Sequence, residues 1–349
     1  MTTPENISTE EQLEELLAVP QARTIELMRR LEGDIMILGA GGKMGPSLAR
    51  LALNACREAG VTKRIIAVSR FSESSLKTQL TRAGIETIAC DLADFKSVET
   101  LPPVQNIIYM AGRKFGEVGS DPLTWLMNTV VPGHVAQVLR PSRMVVFSTG
   151  CVYPLVDPQT GGCTEKQPPD PVGEYANSCL GRERIFQHFS EQYGSRVLLL
   201  RLNYAVDLRY GVPVDIAINV LSGRPVDLTI NWANIIWQGE ANNRVLLCLE
   251  HTASPAAILN LTGQKTLSVK EMALLFGKEF DREVSFSGSD SGKAFLSDAS
   301  ASMEKFGPLE VTEEILLKWV AHWVRIGGRN LNKPTHYQVK DGQFLDSTQ

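Results

Sequence analysis

A run of glycines directly after a short apolar segment constrains this chain more than any other feature of its sequence. Residues 35–38 are all apolar, which is typical of a buried parallel strand. The run that follows is Gly39-Ala-Gly41-Gly42-Lys43-Met44-Gly45. Leu48 and Leu51 then suggest the apolar face of a helix. A strand that turns through small residues into a helix points backbone N–H groups and the positive helix end at one place, which suits a pyrophosphate.

Each glycine of this run has an expected task. Gly39 permits the tight turn, Gly42 lets phosphates approach the backbone, and Gly45 lets the helix pack closely on the strand. Any tight strand-to-helix turn could use the same spacing. Because strands and helices continue to alternate behind the loop, we interpret it as a dinucleotide site.

Five more apolar segments read as strands, and polar or amphipathic stretches separate them. They lie at residues 64–69, 86–90, 106–110, 144–148 and 196–201. Helices are expected between them, notably at 121–139 and 175–193. This alternation predicts an α/β protein with a Rossmann-type, doubly wound parallel sheet.

The pattern changes at both ends of this region. Residues 1–32 read as an N-terminal helical extension, with a capping box at Ser8–Glu11. Residues 33–204 would form the dinucleotide-binding Rossmann domain, 205–335 a smaller mixed α/β substrate-binding domain, and 336–349 a loose polar tail. Within 205–335 we expect short strands at 245–248 and 257–260 and helices at 267–279 and 311–325.

Composition excludes several classes of partner. The net charge is −4, so there is no electrostatic reason to expect nucleic acid or an anionic membrane. No apolar run reaches the ~18 residues of a membrane span. The six cysteines form no CxxC pair and the five histidines are dispersed, which predicts reduced thiols and no metal site. We therefore expect a cytoplasmic protein that binds small molecules.

The residues after the second predicted strand bear on the choice of cofactor. An acidic side chain there would bind the adenosine ribose and repel a 2′-phosphate. This chain has Ser69-Arg70 instead, and a guanidinium binds phosphate well. Lys43 could add a second cation. The pattern favours NADP, and NAD remains open because Arg70 could instead stack on adenine.

Two later segments, with the glycine loop, resemble the extended short-chain dehydrogenase/reductase family, in particular its NAD-dependent epimerases and dehydratases. They are Phe147-Ser-Thr149-Gly-Cys-Val-Tyr153 and Tyr175-Ala-Asn-Ser-Cys179. The resemblance implies catalytic roles for Thr149, which would bind the reacting oxygen, and Tyr175, which would exchange its proton. It also implies a homodimer. Further cofactor contacts implied by the resemblance are Asp91, Leu92, Met110, Ala111, Gly112, Lys114 and Asn128.

The chain departs from the family pattern where the YxxxK lysine should follow Tyr175. Cys179 occupies that position, and a thiol supplies no positive charge to make the phenol acidic. Three explanations remain open. Another cation, from Arg113, Lys114, Arg182 or Arg184, could substitute. The enzyme could be slow or use a different base. The protein could also bind nucleotide without turnover.

The substrate is less clearly indicated. Ala233 stands where nucleotide-sugar members of the family usually carry a diphosphate-binding arginine, so a nucleotide sugar is disfavoured. Arg113 and Asn203 are the predicted substrate residues. The sequence predicts an oxidoreductase that acts on a sugar or sugar acid. A sugar epimerase with a tightly held cofactor and a silent NAD(P)-binding regulatory protein are the alternatives.

Overall fold

Seven strands of the chain form one parallel sheet with the glycine run at its centre. The computed structural model describes residues 3–114 and 120–343. The strands are β1 (Ile35–Leu38), β2 (Ile65–Ser69), β3 (Glu86–Ala89), β4 (Asn106–Tyr109), β5 (Arg143–Thr149), β6 (Val197–Leu202), β7 (Ala205–Val206), β8 (Val226–Asp227), β9 (Trp232–Ala233), β10 (Ile236–Trp237), β11 (Ala257–Leu261), β12 (Leu267–Ser268) and β13 (Phe286–Ser287).

The α-helices cover both faces of this sheet and build a second lobe. They are α1 (Glu10–Leu17), α2 (Ala22–Arg30), α3 (Gly45–Ala59), α4 (Ser74–Ala83), α5 (Phe95–Glu99), α6 (Asp121–Trp125), α7 (Val131–Val138), α8 (Gly173–Tyr193), α9 (Val212–Leu221), α10 (Gln238–Leu247), α11 (Val269–Phe280), α12 (Ser300–Phe306) and α13 (Glu313–Arg325). A π-helical turn, Leu126–Val130, joins α6 to α7.

The strand order is β3-β2-β1-β4-β5-β6-β11, and every pairing in the sheet is parallel. The direction of winding reverses between β1 and β4, the point at which folds of this kind open a crevice. Leu38 pairs with Tyr109, so β1 and β4 end level with each other. The predicted Rossmann-type α/β class is confirmed, and the six predicted strands agree with β1 to β6 within one residue at most ends.

One predicted strand is wrong, and another has an unexpected place. Residues 245–248 belong to α10 and to the 3-10 turn after it. All ten residues of α10 are buried, including its five polar side chains, and the continuous apolar run at 245–248 by itself has the pattern of a short buried strand. The strand expected at 257–260 is β11, which pairs with β6 in the central sheet.

The N-terminal helices connect the two hydrophobic cores. Leu27 and Met28 of α2 pack in the core beneath the central sheet. Leu13 and Leu17 of α1 pack in a second core built mainly from α9, α11 and α13. The N-cap of α1 is Thr9, one residue after the predicted Ser8, and its hydroxyl accepts from the Gln12 N–H at 3.2 Å. These helices are therefore part of the framework.

The described part of the expected polar tail, residues 336–343, follows directly on the buried Thr335, and residues 344–349 lie outside the described residues. Thr335 is 1% and Tyr337 is 5% exposed, and both are held by hydrogen bonds to the second lobe. The polar composition of this segment did not indicate its burial. The buried groups are the Thr335 hydroxyl and the Tyr337 phenol, and their hydrogen-bond partners lie far away in the sequence. Among the described helices, none combines the length and the apolar character that crossing a membrane requires.

Candidate active site

Two adjoining clefts open at the carboxyl edge of the sheet and share Gly41, Gly42, Met110 and Gly112 as lining residues. The outer cleft, about 390 Å³, reaches the end of β2. The inner cleft, about 580 Å³, reaches the end of β5 and the start of α8. Because they share their central wall, the two clefts form one elongated groove across the winding reversal of the sheet.

The glycine loop forms the middle of this groove. Gly39 has φ +89°, and a Cβ there would lie 2.6 Å from the Ala111 amide nitrogen. A Cβ at Gly45 would lie 2.3 Å from the Ala40 carbonyl oxygen, so only glycine lets α3 begin this close to the loop. The first turn of α3 thus meets the groove with its N-terminal end.

The outer cleft contains the residues predicted to bind the adenosine half of a cofactor. They are Gly39, Ser69, Arg70, Asp91, Leu92 and Ala111. Arg70 is exposed, and Glu73 and Asp91 lie on the same rim. The cleft therefore offers one guanidinium together with two carboxylates, and the ribose end of the groove is polar.

The inner cleft brings together Thr149 and Tyr175, the two residues predicted to be catalytic. Thr149 ends β5 and Tyr175 lies in the first turn of α8. The Thr149 hydroxyl lies near enough to the Tyr175 phenol to lower its pKa. The Thr149 hydroxyl oxygen also accepts from the Cys151 N–H at 3.1 Å, which leaves its proton available for the phenolic oxygen. Lys43, Met44 and Asn203 line the same cleft.

Burial controls the acidity of Tyr175. Desolvation raises its pKa well above the usual value of 10, and the nearby Cys179 and Cys151 raise it further. Arg182 and the hydrogen bond from Thr149 act in the opposite direction. The hydroxyl is therefore a neutral phenol near pH 7.

Position 179 is filled by a fully buried thiol. Cys179 packs in a small cluster with Val152, Tyr153 and Cys163, and Tyr175 packs against this cluster. Burial raises the pKa of Cys179, so it is a protonated thiol at neutral pH. A neutral group thus stands where the family pattern has an ammonium.

Three of the four candidate cations lie near Tyr175. Arg182, on the same helix, donates to the Asn128 Oδ1 at 2.6 Å and to the Phe147 carbonyl at 2.9 Å. The Lys114 Nζ is 5.9 Å from the centroid of the Tyr175 ring. Arg113 lines the inner cleft beside Lys114. Arg184 instead points to the surface, where it donates to Gln187 at 2.8 Å.

Asn128 lies behind the groove wall and is fully buried. Its Oδ1 accepts from the Arg113 N–H and from Arg182, and its Nδ2 donates to the Arg113 carbonyl and to the Ser178 hydroxyl. These four hydrogen bonds use the full capacity of the amide. Asn128 therefore positions the Arg113 backbone and Arg182 rather than lining the groove itself.

A buried ion pair supports the floor of the inner cleft. Arg201 donates to both carboxylate oxygens of Glu183, at 2.9 and 2.6 Å, and the Ser148 hydroxyl donates to the same carboxylate at 2.5 Å. This network ties β5, β6 and α8 together directly below Thr149. The Asn203 Nδ2 donates to the Phe295 carbonyl at 3.0 Å, which fixes its amide against the wall.

Several lining residues were not predicted from the sequence. They are Cys151, Tyr204, Tyr210, Gln238, Lys333 and Thr335. Cys151 could have been found, since it follows Thr149 by two residues. Lys333 and Thr335 carry no local signal, because only the path of the C-terminal residues brings them to the groove.

The strand order, the glycine loop after β1 and the groove at the winding reversal define a Rossmann-type α/β protein. Residues 35–206 match the model of the NAD dependent epimerase/dehydratase family. The matched segment runs from β1 to β7 and includes the glycine loop, Thr149 and Tyr175. No curated protein matches the chain by sequence.

Solved structures agree on the fold. A dTDP-glucose 4,6-dehydratase from Bacillus anthracis, in complex with NAD, has TM-score 0.70 and 16% identity, covering 84% of this chain and 96% of its own. A UDP-glucose 4-epimerase from Thermus thermophilus, also with NAD, has TM-score 0.66 and 18% identity over 83% and 99%. A Streptomyces venezuelae dTDP-glucose 4,6-dehydratase has TM-score 0.68 and 18% identity over 84% and 97%.

Proposed function

We propose that this protein is an NAD(P)-dependent oxidoreductase that acts on a carbohydrate-like substrate. The observation that carries the proposal is that Thr149 and Tyr175 line the same cleft, in one groove with the glycine loop. The family and the NAD-bound sugar-nucleotide enzymes that share the fold support the same chemistry.

The groove fits a dinucleotide on its own geometry. Backbone amides of Gly41 and Gly42 and the first turn of α3 would hold the pyrophosphate. At Gly112 a Cβ would lie 2.5 Å from the Arg182 Nη2, so only glycine leaves this wall open. The Nε atoms of Arg113 and Arg182 are buried without a hydrogen-bond partner, as expected of a site built for a polar ligand.

The outer cleft would hold the adenosine half. Arg70 and Ser69 favour a 2′-phosphate there, and we propose NADP as the preferred cofactor, with NAD as the alternative. Met110, Lys114 and Tyr175 would border the nicotinamide half, which supplies or accepts a hydride when bound.

Tyr175 and Thr149 would handle the proton that accompanies hydride transfer. In reduction, Tyr175 donates its proton to the substrate oxygen, and the Thr149 hydroxyl stabilises the phenolate that remains. The raised pKa of Tyr175 keeps that proton in place at neutral pH. We therefore propose that reduction of a carbonyl is the faster direction, because the reverse direction requires a phenolate that few molecules carry.

Arg182 and Lys114 would replace the cation that Cys179 cannot provide. Arg182 already lowers the pKa of Tyr175, and Lys114 lies above its ring. Dehydration is disfavoured because no carboxylate appears among the described residues that line the inner cleft. We also propose a homodimer, for which the exposed Leu123, Trp125 and Val130 on the α6–α7 segment offer an apolar contact surface.

Absorbance at 340 nm tests the proposal. With NADPH or NADH and a panel of sugars, ketoses and sugar acids, we expect turnover that falls at least about 100-fold in Tyr175→Phe, while cofactor affinity stays unchanged. Tight cofactor binding without turnover on the whole panel would support the second candidate, a silent NAD(P)-binding protein. The neutral thiol of Cys179 beside Tyr175 is the observation that supports this second candidate.

A further inference from the structure

The C-terminal segment, residues 331–343, forms one wall of the inner cleft. The Thr335 N–H and hydroxyl both donate to the Asp215 carboxylate of α9, at 2.8 and 2.6 Å. The Tyr337 hydroxyl donates to the Asp227 carbonyl at 3.0 Å. Val339 and Tyr175 both pack against the buried pair Cys151 and Ala176. The segment is therefore fixed at several points over the catalytic pair, on the side of the groove open to a substrate.

Basic side chains dominate this cleft. Those that line it are Lys43, Arg113, Lys114, Arg182 and Lys333, and the described lining residues include no carboxylate. Two acids lie behind the cleft wall, and both are engaged, Asp215 by Thr335 and Glu183 by Arg201 and Ser148. A cleft with this charge balance attracts anions and concentrates them near its residues.

Two of these cations have clear partners within the protein. Arg182 is held by Asn128 and the Phe147 carbonyl, and the Lys43 Nζ lies 3.1 Å from the centroid of the Tyr210 ring. The dinucleotide pyrophosphate would face the loop that carries Lys43. Arg113 and Lys333 are therefore cations that the cofactor pyrophosphate does not account for.

The environments of Arg113 and Lys114 suit a bound anion. The Nε of Arg113 is buried with no hydrogen-bond partner. Lys114 contacts the Thr335 carbonyl of the C-terminal segment at 3.5 Å, and burial lowers the pKa of its ammonium. A negative group between these side chains would offset the cost of removing their charges from water.

We propose that the inner cleft binds a small polyhydroxylated substrate that carries a carboxylate or a phosphate, and that Lys333 and Arg113 hold this anionic group. The inference rests on the proposed function and specifies the class of its substrate. The C-terminal segment then determines which substrates bind, because the path of this segment is what brings Lys333 to the inner cleft.

The test measures binding separately from turnover. Full-length protein loaded with NADP⁺ is titrated calorimetrically with glucose, gluconate, glucuronate and glucose 6-phosphate as matched probes. We expect at least one acidic probe to bind about tenfold or more tightly than glucose, and preference for the sugar acids or for the phosphate identifies the anion. Equal or tighter binding of glucose overturns the inference, even if the protein turns over neutral sugars and the proposed function stands.

Two variants of the same segment locate the anion. Lys333→Met should weaken binding of the acidic probe about tenfold and leave glucose and NADP⁺ binding unchanged. Lys340→Met is the matched control, because Lys340 is exposed and does not line the cleft. Identical acid affinities in the two variants would overturn the role of Lys333. Turnover at 340 nm, followed in parallel, reports on the proposed function alone.

Discussion

Cys179 follows Tyr175 by one turn of α8 and belongs to the buried cluster against which Tyr175 packs, so a thiol occupies the place from which an ammonium would act on the phenol. Burial is the main reason why the pKa of Tyr175 is raised, and a neutral thiol at position 179 does nothing to offset it, whereas an ammonium would lower that pKa. The effect of a charge at this position can be tested by one substitution.

Cys179→Lys should make Tyr175 more acidic. An ammonium at this distance lowers the pKa of a neighbouring acid by about 1–3 units, so the alkaline rise in the rate of alcohol oxidation should move to lower pH by that amount. The measurement is the pH profile of kcat/KM for NADP⁺-dependent oxidation. Cys179→Ala is the control for replacing the thiol without adding a charge, and it should leave the pH profile almost unchanged. A folded Cys179→Lys variant with the profile of the parent protein would show that Tyr175 does not carry the proton.

Arg70→Ala should distinguish the two cofactors. If the Arg70 guanidinium binds a 2′-phosphate, its loss should weaken NADP(H) binding about tenfold or more and leave NAD(H) binding unchanged. Fluorescence titration of both reduced cofactors measures this difference. Lys77→Ala, an exposed change on α4 away from the outer cleft, is the matched control. An equal loss of affinity for both cofactors would instead indicate that Arg70 stacks on the adenine.

Glu183→Gln should destabilise the protein strongly. Arg201 and Glu183 are 2% and 0% exposed, so removing one charge leaves the other buried and unpaired, at a cost of about 3–5 kcal/mol. The free energy of unfolding from urea titration measures the loss. Lys265→Ala breaks an ion pair whose side chains are 55% and 59% exposed and should cost less than ~1 kcal/mol. Similar losses in both variants would contradict a structural role for the Glu183–Arg201 pair.

Much of the Rossmann half could be predicted from local sequence. The strands β1, β4 and β5 are short apolar runs that are buried on both faces, and such runs are distinctive. Thr149 and Tyr175 could be placed in one site because each lies at the end of an element that borders the same sheet edge. The glycine positions followed from backbone requirements that other residues cannot meet.

The remaining features depend on contacts between distant residues. Lys114 and Thr335 are 221 residues apart in sequence, and no periodicity reveals that one touches the other. The helix α10 ends in a continuous apolar run, residues 245–247, and such a short run cannot be distinguished from a buried strand by its pattern. Polar residues near the C-terminus suggested a tail because their burial depends on partners in α9 and beside β8.

The position of β11 has a consequence for how the chain can be divided. The chain leaves the central sheet after β6, builds much of the second lobe, and returns about fifty residues later to cover the outer edge of β6. A fragment cut where the family match ends, at residue 206, would expose unpaired backbone groups along β6 and invite association between copies. During synthesis the edge of β6 has no partner strand until β11 has left the ribosome. We therefore expect the central sheet and the second lobe to complete their folding together.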